Sequence, residues 1–225
     1  MAALFRKKKP PASGPDWWQA YQALDWNYPA RKTSIEELRL VVLDTEATGM
    51  DPQKDRMLSV SAVRVARREV YVGDTLELLV AQPDFVRNES IQIHGILPGE
   101  SKETGEAEAE VIRQVVEFLG NRVIVGHHIG FDIRLINEGL ARLGLGTLKN
   151  RWLDTKQLAI KVEHLFPNPY LRGEDYTLDA LCNRYNVRPR YRHTASGDTF
   201  ITAVLLLKLL AKLEKRGLTT WKEIR

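Results

Sequence analysis

The 225 residues suffice for one generous core with an appendage and fall short of two full domains. Hydrophobic side chains make up 44% and charged ones 28%, a balance that excludes a disordered chain, and no apolar stretch approaches the ~20 residues needed to span a bilayer. The formal charge of +4 sits wholly in residues 1–34, where Arg6, Lys7, Lys8, Lys9, Arg31 and Lys32 outnumber Asp16 and Asp25, leaving 27 basic and 27 acidic residues elsewhere. Any affinity of the body for nucleic acid must therefore come from local patches.

Residues 1–34 read as an extension and residues 35–225 as the body. The opening MAALFRKKKPP carries its charges after a short apolar run and lacks the long apolar region of a signal peptide, so a cytoplasmic protein without membrane contact is expected. Pro10, Pro11 and Pro15 mark extended linker before a short amphipathic helix from Asp16 to Leu24. Trp17, Trp18 and Trp26 have two uses open to them, docking on the body or on a partner.

From Leu38 the run LRLVVLDTE has the continuous apolar character of a central strand. Two further strands follow within MLSVSAVRVARREVYVGDTLELLV, with Arg67, Arg68 and Glu69 as the polar break of an antiparallel pair. A short helical piece is expected near Ile91 to Ile96. From Glu106 to Leu119, Val111, Val115, Val116 and Leu119 recur at helical spacing. Arg122 to Gly126 reads as a strand, Ile129 to Leu143 as a helix, Trp152 to Asp154 as the end of another strand, and Thr155 to Val162 as helix again. A loop with Pro167, Pro169 and Gly173 precedes a helix from Thr177 to Tyr185 that holds Cys182. That single cysteine excludes an internal disulfide framework and a cysteine-rich zinc site, and its apolar neighbours Leu178, Leu181 and Tyr185 make it a core residue. The last helix runs from Ser196 to Lys215 with Leu205, Leu206, Leu209, Leu210 and Leu213 as its buried stripe, and Gly217 stops it. Strands first and alternating helices afterwards imply an α/β fold with a mixed, five-stranded sheet covered by helices.

Four acids and one histidine stand where such a fold builds sites. Asp44 and Glu46 end the first strand, and their spacing of two directs both side chains to one face. Carboxylates aimed together repel unless a cation joins them, and the C-terminal rim of a sheet is where α/β sites form. Asp132 lies in VGHHIGFD at the start of a helix, where it could equally favour the positive helix end. Asp198 begins the leucine-rich helix, and His193 stands five residues before it in HTASGD. An imidazole beside such a centre has a use as proton acceptor near neutral pH.

In order and wording these segments resemble the DEDDh branch of the DnaQ-like exonucleases, the superfamily of the proofreading subunit of bacterial DNA polymerase III, ribonuclease T and oligoribonuclease. DTEATG (Asp44 to Gly49) stands for the first motif, HHIGFD (His127 to Asp132) for the second, and HTASGD (His193 to Asp198) for the last. The resemblance covers Leu38 to Leu213 and departs from the family at His128, usually Asn, and at Ala47, commonly Thr.

It implies a single ribonuclease H-like domain that hydrolyses single-stranded nucleic acid from the 3′ end with two divalent cations, Mg²⁺ or Mn²⁺. Asp44, Glu46, Asp132 and Asp198 would hold them, with His193 taking a proton from the attacking water. Thr45, Thr48, Gly49, His94, Ile96, His128 and Phe131 would border the terminal nucleotide. Oxygen ligands suit these hard ions, and two cations ~4 Å apart can clamp both sides of an in-line displacement. Arg184, Arg188, Arg190 and Arg192 are candidates for phosphate contacts. DNA is favoured over RNA because the aromatic and basic extension suits attachment to a DNA polymerase or repair protein. Trimming of RNA ends, and a catalytically inactive binding or scaffold protein, are the competing functions.

Overall fold

The computed structural model describes residues 14–164 and 173–225. Most of the Pro167–Gly173 loop and the basic run from Arg6 to Lys9 lie outside the described residues. Five strands form one mixed sheet, β1 (Leu40–Ala47), β2 (Met57–Ala66), β3 (Glu69–Leu79), β4 (Val123–Gly126) and β5 (Trp152–Asp154), in the order β3-β2-β1-β4-β5. β1 to β3 are antiparallel neighbours, whereas β4 and β5 run parallel to β1. The expected polar break between β2 and β3 is a tight turn in which Arg67 and Arg68 both take positive φ.

Alternation along β1 sorts the core into two layers. Leu40 and Val42 pack with one set of helices, α6 (Thr155–His164), α7 (Leu178–Arg184), α8 (Ala195–Glu214) and α9 (Trp221–Ile224). Val41 and Leu43 pack with the other, α1 (Asp16–Gln22), α4 (Glu108–Leu119) and α5 (Gly130–Arg142). The four apolar residues expected on α4 and the five leucines of α8 are all buried. Removing each from water contributes about 1.5–3 kcal/mol. Cys182 is a buried core residue.

The extension packs on the body over its described part. Trp18 and Tyr21 are buried in the α4/α5 layer, Trp17 and Trp26 pack partly against it, and the Tyr21 hydroxyl donates to Asn150 at 2.8 Å. Two helices fall outside the expectations. The first is α3 (Pro98–Thr104), which has no apolar stripe to betray it. The second is α9, opened by a capping box between Thr220 and Glu223. The helical piece after Pro83 is the single turn α2 (Ile91–His94), and α1 ends two residues before Leu24. No helix among the described residues is long and apolar enough to cross a membrane.

Candidate metal-dependent nuclease site

Asp44 and Glu46 leave β1 on the same face as Leu40 and Val42, toward α8. There they meet Asp198, and one ligand oxygen from each of the three carboxylates lies within 4.8 Å of the others. The last motif explains itself locally. Thr194 caps α8 by accepting from the Gly197 N–H at 3.1 Å, and its hydroxyl donates to the Tyr191 carbonyl at 2.8 Å. A Cβ on Gly197 would stand 1.9 Å from that same carbonyl oxygen, so the chain passes there only without a side chain. One turn further on, the Thr199 hydroxyl donates to the Ser61 carbonyl at 3.1 Å, and Ser61 pairs with Asp44 across β1 and β2. The start of α8 is thereby pinned beside the β1 carboxylates.

Asp132 arrives from the opposite layer. It is buried, and its Oδ1 accepts from the Thr45 N–H at 3.0 Å and the Thr45 hydroxyl at 2.7 Å. It lines the cleft with Asp44 and Glu46 but lies outside the group of three. Thr45, expected to border substrate, therefore spends its hydroxyl on Asp132.

The electrostatics are those of a centre short of positive charge. Burial, followed by repulsion from Asp132, Asp198 and Glu46, holds the Asp44 carboxyl well above the usual carboxylate range. Burial and the neighbouring Asp198 and Asp132 push Glu46 up to about 7. Burial raises Asp132 to about 7 against the lowering effect of its Thr45 bonds. One cation answers them. The Arg192 guanidinium bonds Asp198 and also donates from Nε to Asp179 at 2.6 Å. Both Arg192 and Arg184, candidates for phosphate contact, are thus engaged by protein groups, Arg184 with Glu163 at 2.9 Å. Three hard oxygen donors gathered without enough counter-charge fit a divalent cation.

His193 has positive φ and an exposed ring that does not line the cleft of the acids. Its backbone N–H points to Asp198 Oδ2 at 3.3 Å. The cleft itself, about 630 Å³, collects Thr45, Thr48, Gly49, His94, His128 and Phe131 of the expected substrate border. Ile96 lines an adjoining depression, and its N–H donates to His94 Nδ1 at 3.0 Å. The Thr48 hydroxyl donates to Asp55 at 2.9 Å and accepts from the Arg56 N–H. A Cβ on Gly49 would meet the same Asp55 carboxylate at 2.6 Å. His128 takes positive φ and stands edge-on to His127, whose Nδ1 is 2.9 Å from the Thr155 hydroxyl.

Sequence reasoning passed over the far lip of the cleft. Asn88 there donates to the Thr48 carbonyl at 2.7 Å, and the exposed Met50 and Ile93 face the opening. Only the turn-forming Asn-Glu-Ser composition hinted at it. The Arg192 bridge had a weak signal too, a basic residue next to a motif whose aspartate needs a partner.

The exonuclease family model RNase_T matches residues 41–206, spanning all three motifs. The chain belongs to the DnaQ-like, DEDDh exonuclease family. Among its relatives is a DNA polymerase III subunit epsilon-like protein of Rhodobacter capsulatus, 33% identical over 193 residues, covering 84% of this chain and 26% of that protein. A PolC-type DNA polymerase III of Thermotoga petrophila is 28% identical over 192 residues, covering 85% of this chain and 13% of that one. This chain thus spans about a quarter or less of the length of these two relatives. Exonuclease I of E. coli in complex with a dT13 oligonucleotide superposes with a TM-score of 0.69 at 18% identity, over 80% of this chain and 43% of that one. At that identity the likeness is one of fold. Asp44, Glu46, Asp132 and Asp198 all lie within the matched span.

Proposed function

We propose that this DEDDh protein removes nucleotides one at a time from the 3′ end of single-stranded DNA. The observation that carries the reading is the convergence of Asp44, Glu46 and Asp198 within 4.8 Å at the end of β1, beside a cleft that Asp132 also lines. Divalent cations, Mg²⁺ or Mn²⁺, held by Asp44, Glu46, Asp198 and Asp132, would neutralise the charge that develops on the phosphate oxygens during displacement.

The chain's own residues do the rest. Thr45 fixes the Asp132 carboxylate, leaving its second oxygen for the site. His94, His128, Phe131 and the Thr48-Gly49 turn enclose the last nucleotide. His193 would accept a proton from the water that attacks phosphorus. Its exposed ring must first turn into the cleft, as catalytic groups in unliganded sites often must. The bond from phosphorus to the 3′ oxygen breaks, that oxygen takes up a proton, and a nucleoside 5′-monophosphate leaves.

DNA is preferred over RNA because the similar proteins named above are DNA polymerase III components and an exonuclease I seen with a DNA oligonucleotide. A polymerase or repair partner held through residues 1–34 rests on the same names and on the basic run Arg6 to Lys9, since Trp18 and Tyr21 are already covered by the body. The test is digestion of 5′-labelled single-stranded DNA and RNA of equal sequence with Mg²⁺, Mn²⁺ or excess chelator. Wild type is expected to give a stepwise ladder that chelator abolishes and that Asp44→Ala and His193→Ala lose. Equal ladders from wild type and Asp44→Ala would reject the site, and a stronger RNA ladder would reverse the substrate preference.

A further inference from the structure

On the far side of the loop that carries His193 lies a second groove of about 430 Å³, open to solvent and unused by the chemistry above. Its floor is apolar, with Val187 and Ile201 buried beneath it. Two aromatic rings stand at its edges in water, Tyr191 at 80% exposure and Phe200 at 50%. Arg188 and Arg190 line the same groove. Unlike Arg184 and Arg192, which bond carboxylates, Arg188 and Arg190 form no ion pair among the described residues.

The groove is connected to the acid centre. Glu46 and His94 line both the catalytic cleft and the adjoining depression, and Ser196 lines both that depression and the groove. The terminal-nucleotide cleft, the depression and the groove are therefore successive neighbours, the last two meeting at Ser196 in the first turn of α8. The middle stretch carries Glu77 and Glu100, which repel phosphates, so the phosphate contacts fall at its far end.

We propose that this groove, taken with the nuclease reading on which it rests, holds the single strand upstream of the cleaved end. Bases stack on Tyr191 and Phe200, and Arg188 and Arg190 receive their phosphates. Exposed aromatics beside cations that no carboxylate among the described residues engages are the features that bind single strands without regard to sequence.

The test is fluorescence anisotropy in Mg²⁺ with two probes whose 3′ linkages are phosphorothioates that block cleavage, a dinucleotide and a strand of about twelve nucleotides. Tyr191→Ala, Phe200→Ala and the pair Arg188→Gln with Arg190→Gln are compared with wild type. The expected result is a Kd for the longer strand raised about 10-fold by loss of a stacking ring, with the dinucleotide unaffected. The paired arginine variant should also lower the log–log salt slope of the longer strand by about 1.4, roughly 0.7 for each lost phosphate contact. An unchanged Kd for the longer strand in every variant overturns the proposal and leaves the groove to a protein partner. Equal losses on both probes also overturn it, because they report damage to the cleft. Wild type binding neither probe would instead sink the nuclease reading, which the ladder assay tests separately.

Discussion

Replacing Asp44 by Asn should make the metal-free protein more stable while abolishing its activity. The carboxylate oxygens of Asp44, Glu46 and Asp198 lie within 4.8 Å of one another, and two unit charges at that distance repel by ~3.5 kcal/mol at an effective dielectric of ~20. Arg192 offsets part of this, and the cluster sheds more by holding protons. A net gain of roughly 1–3 kcal/mol is expected, which raises Tm by roughly 3–9 °C for a chain of this size. The sign follows from linkage. An acid whose folded-state pKa is raised destabilises the fold as pH climbs from its unfolded value to its folded one. Glu46 and Asp132 titrate at about 7 in the fold and Asp44 is raised as well, so wild type loses stability from about pH 4 through pH 7. The advantage of Asp44→Asn should therefore be larger at pH 8 than at pH 5. Thermal unfolding in chelator across that range measures it, and added Mn²⁺ should raise the Tm of wild type more than that of the variant. A variant no more stable than wild type at pH 8, or one stabilised equally by Mn²⁺, would refute this account of the cluster.

Arg192→Gln removes the cation that occupies Asp198, and Mn²⁺ should bind about 5- to 20-fold more tightly for the loss of a competing charge. Titration followed by electron paramagnetic resonance reads this, and weaker binding would show that the guanidinium orients Asp198 for the ion. Thr45→Val deletes the hydroxyl donor to buried Asp132 and should cost about 1–3 kcal/mol in urea denaturation, with Thr45→Ser restoring most of it. Gly197→Ala forces a methyl group to within 1.9 Å of the Tyr191 carbonyl, so the HTASGD turn must open. Tm should fall by several degrees and activity should vanish, and an unaltered melting curve would contradict the packing described.

The sheet and its helices were legible because their burial is periodic. Val111, Val115, Val116 and Leu119 sit at helical spacing and are all fully buried, and LRLVVL reads as a strand covered on both faces. What escaped notice has no such periodicity. α3 begins at Pro98 and buries only Ser101, whose hydroxyl donates to the Val80 carbonyl at 2.8 Å and accepts from the Gln82 N–H at 3.1 Å, so hydrogen bonds and not an apolar stripe position it. α9 did leave a trace, the Thr220 and Glu223 capping box. In the site, spacing places Asp44 and Glu46 together and Arg192 six residues from Asp198, but the Asp132 partner of Thr45 and the Asp179 partner of Arg192 lie 87 and 13 residues away. Nothing local announces a bond across such a separation. The motifs group all four acids; three meet within 4.8 Å, and Asp132, held by Thr45 on the opposite parity of β1, lines the same cleft.

That parity is the physical basis of the site. Leu40, Val42 and then Asp44 and Glu46 face the α8 layer, whereas Val41, Leu43 and then Thr45 face the α5 layer. A slip of β1 by one residue would exchange the two sets, turning Thr45 toward Asp198 and both carboxylates toward Asp132. Two features resist the slip. Asp44 pairs with Ser61, whose carbonyl accepts the Thr199 hydroxyl one residue after Asp198, so α8 is tied to the register that aims the carboxylates at it. The ladder then shifts between Glu46 and Ala47, immediately past the second carboxylate, and the irregularity lets Thr48 and Gly49 leave the sheet for the Asp55 turn. The gathering of Asp44, Glu46 and Asp198 thus follows from strand register, with Asp198 set beside the β1 carboxylates by the hydrogen bond from Thr199 to Ser61.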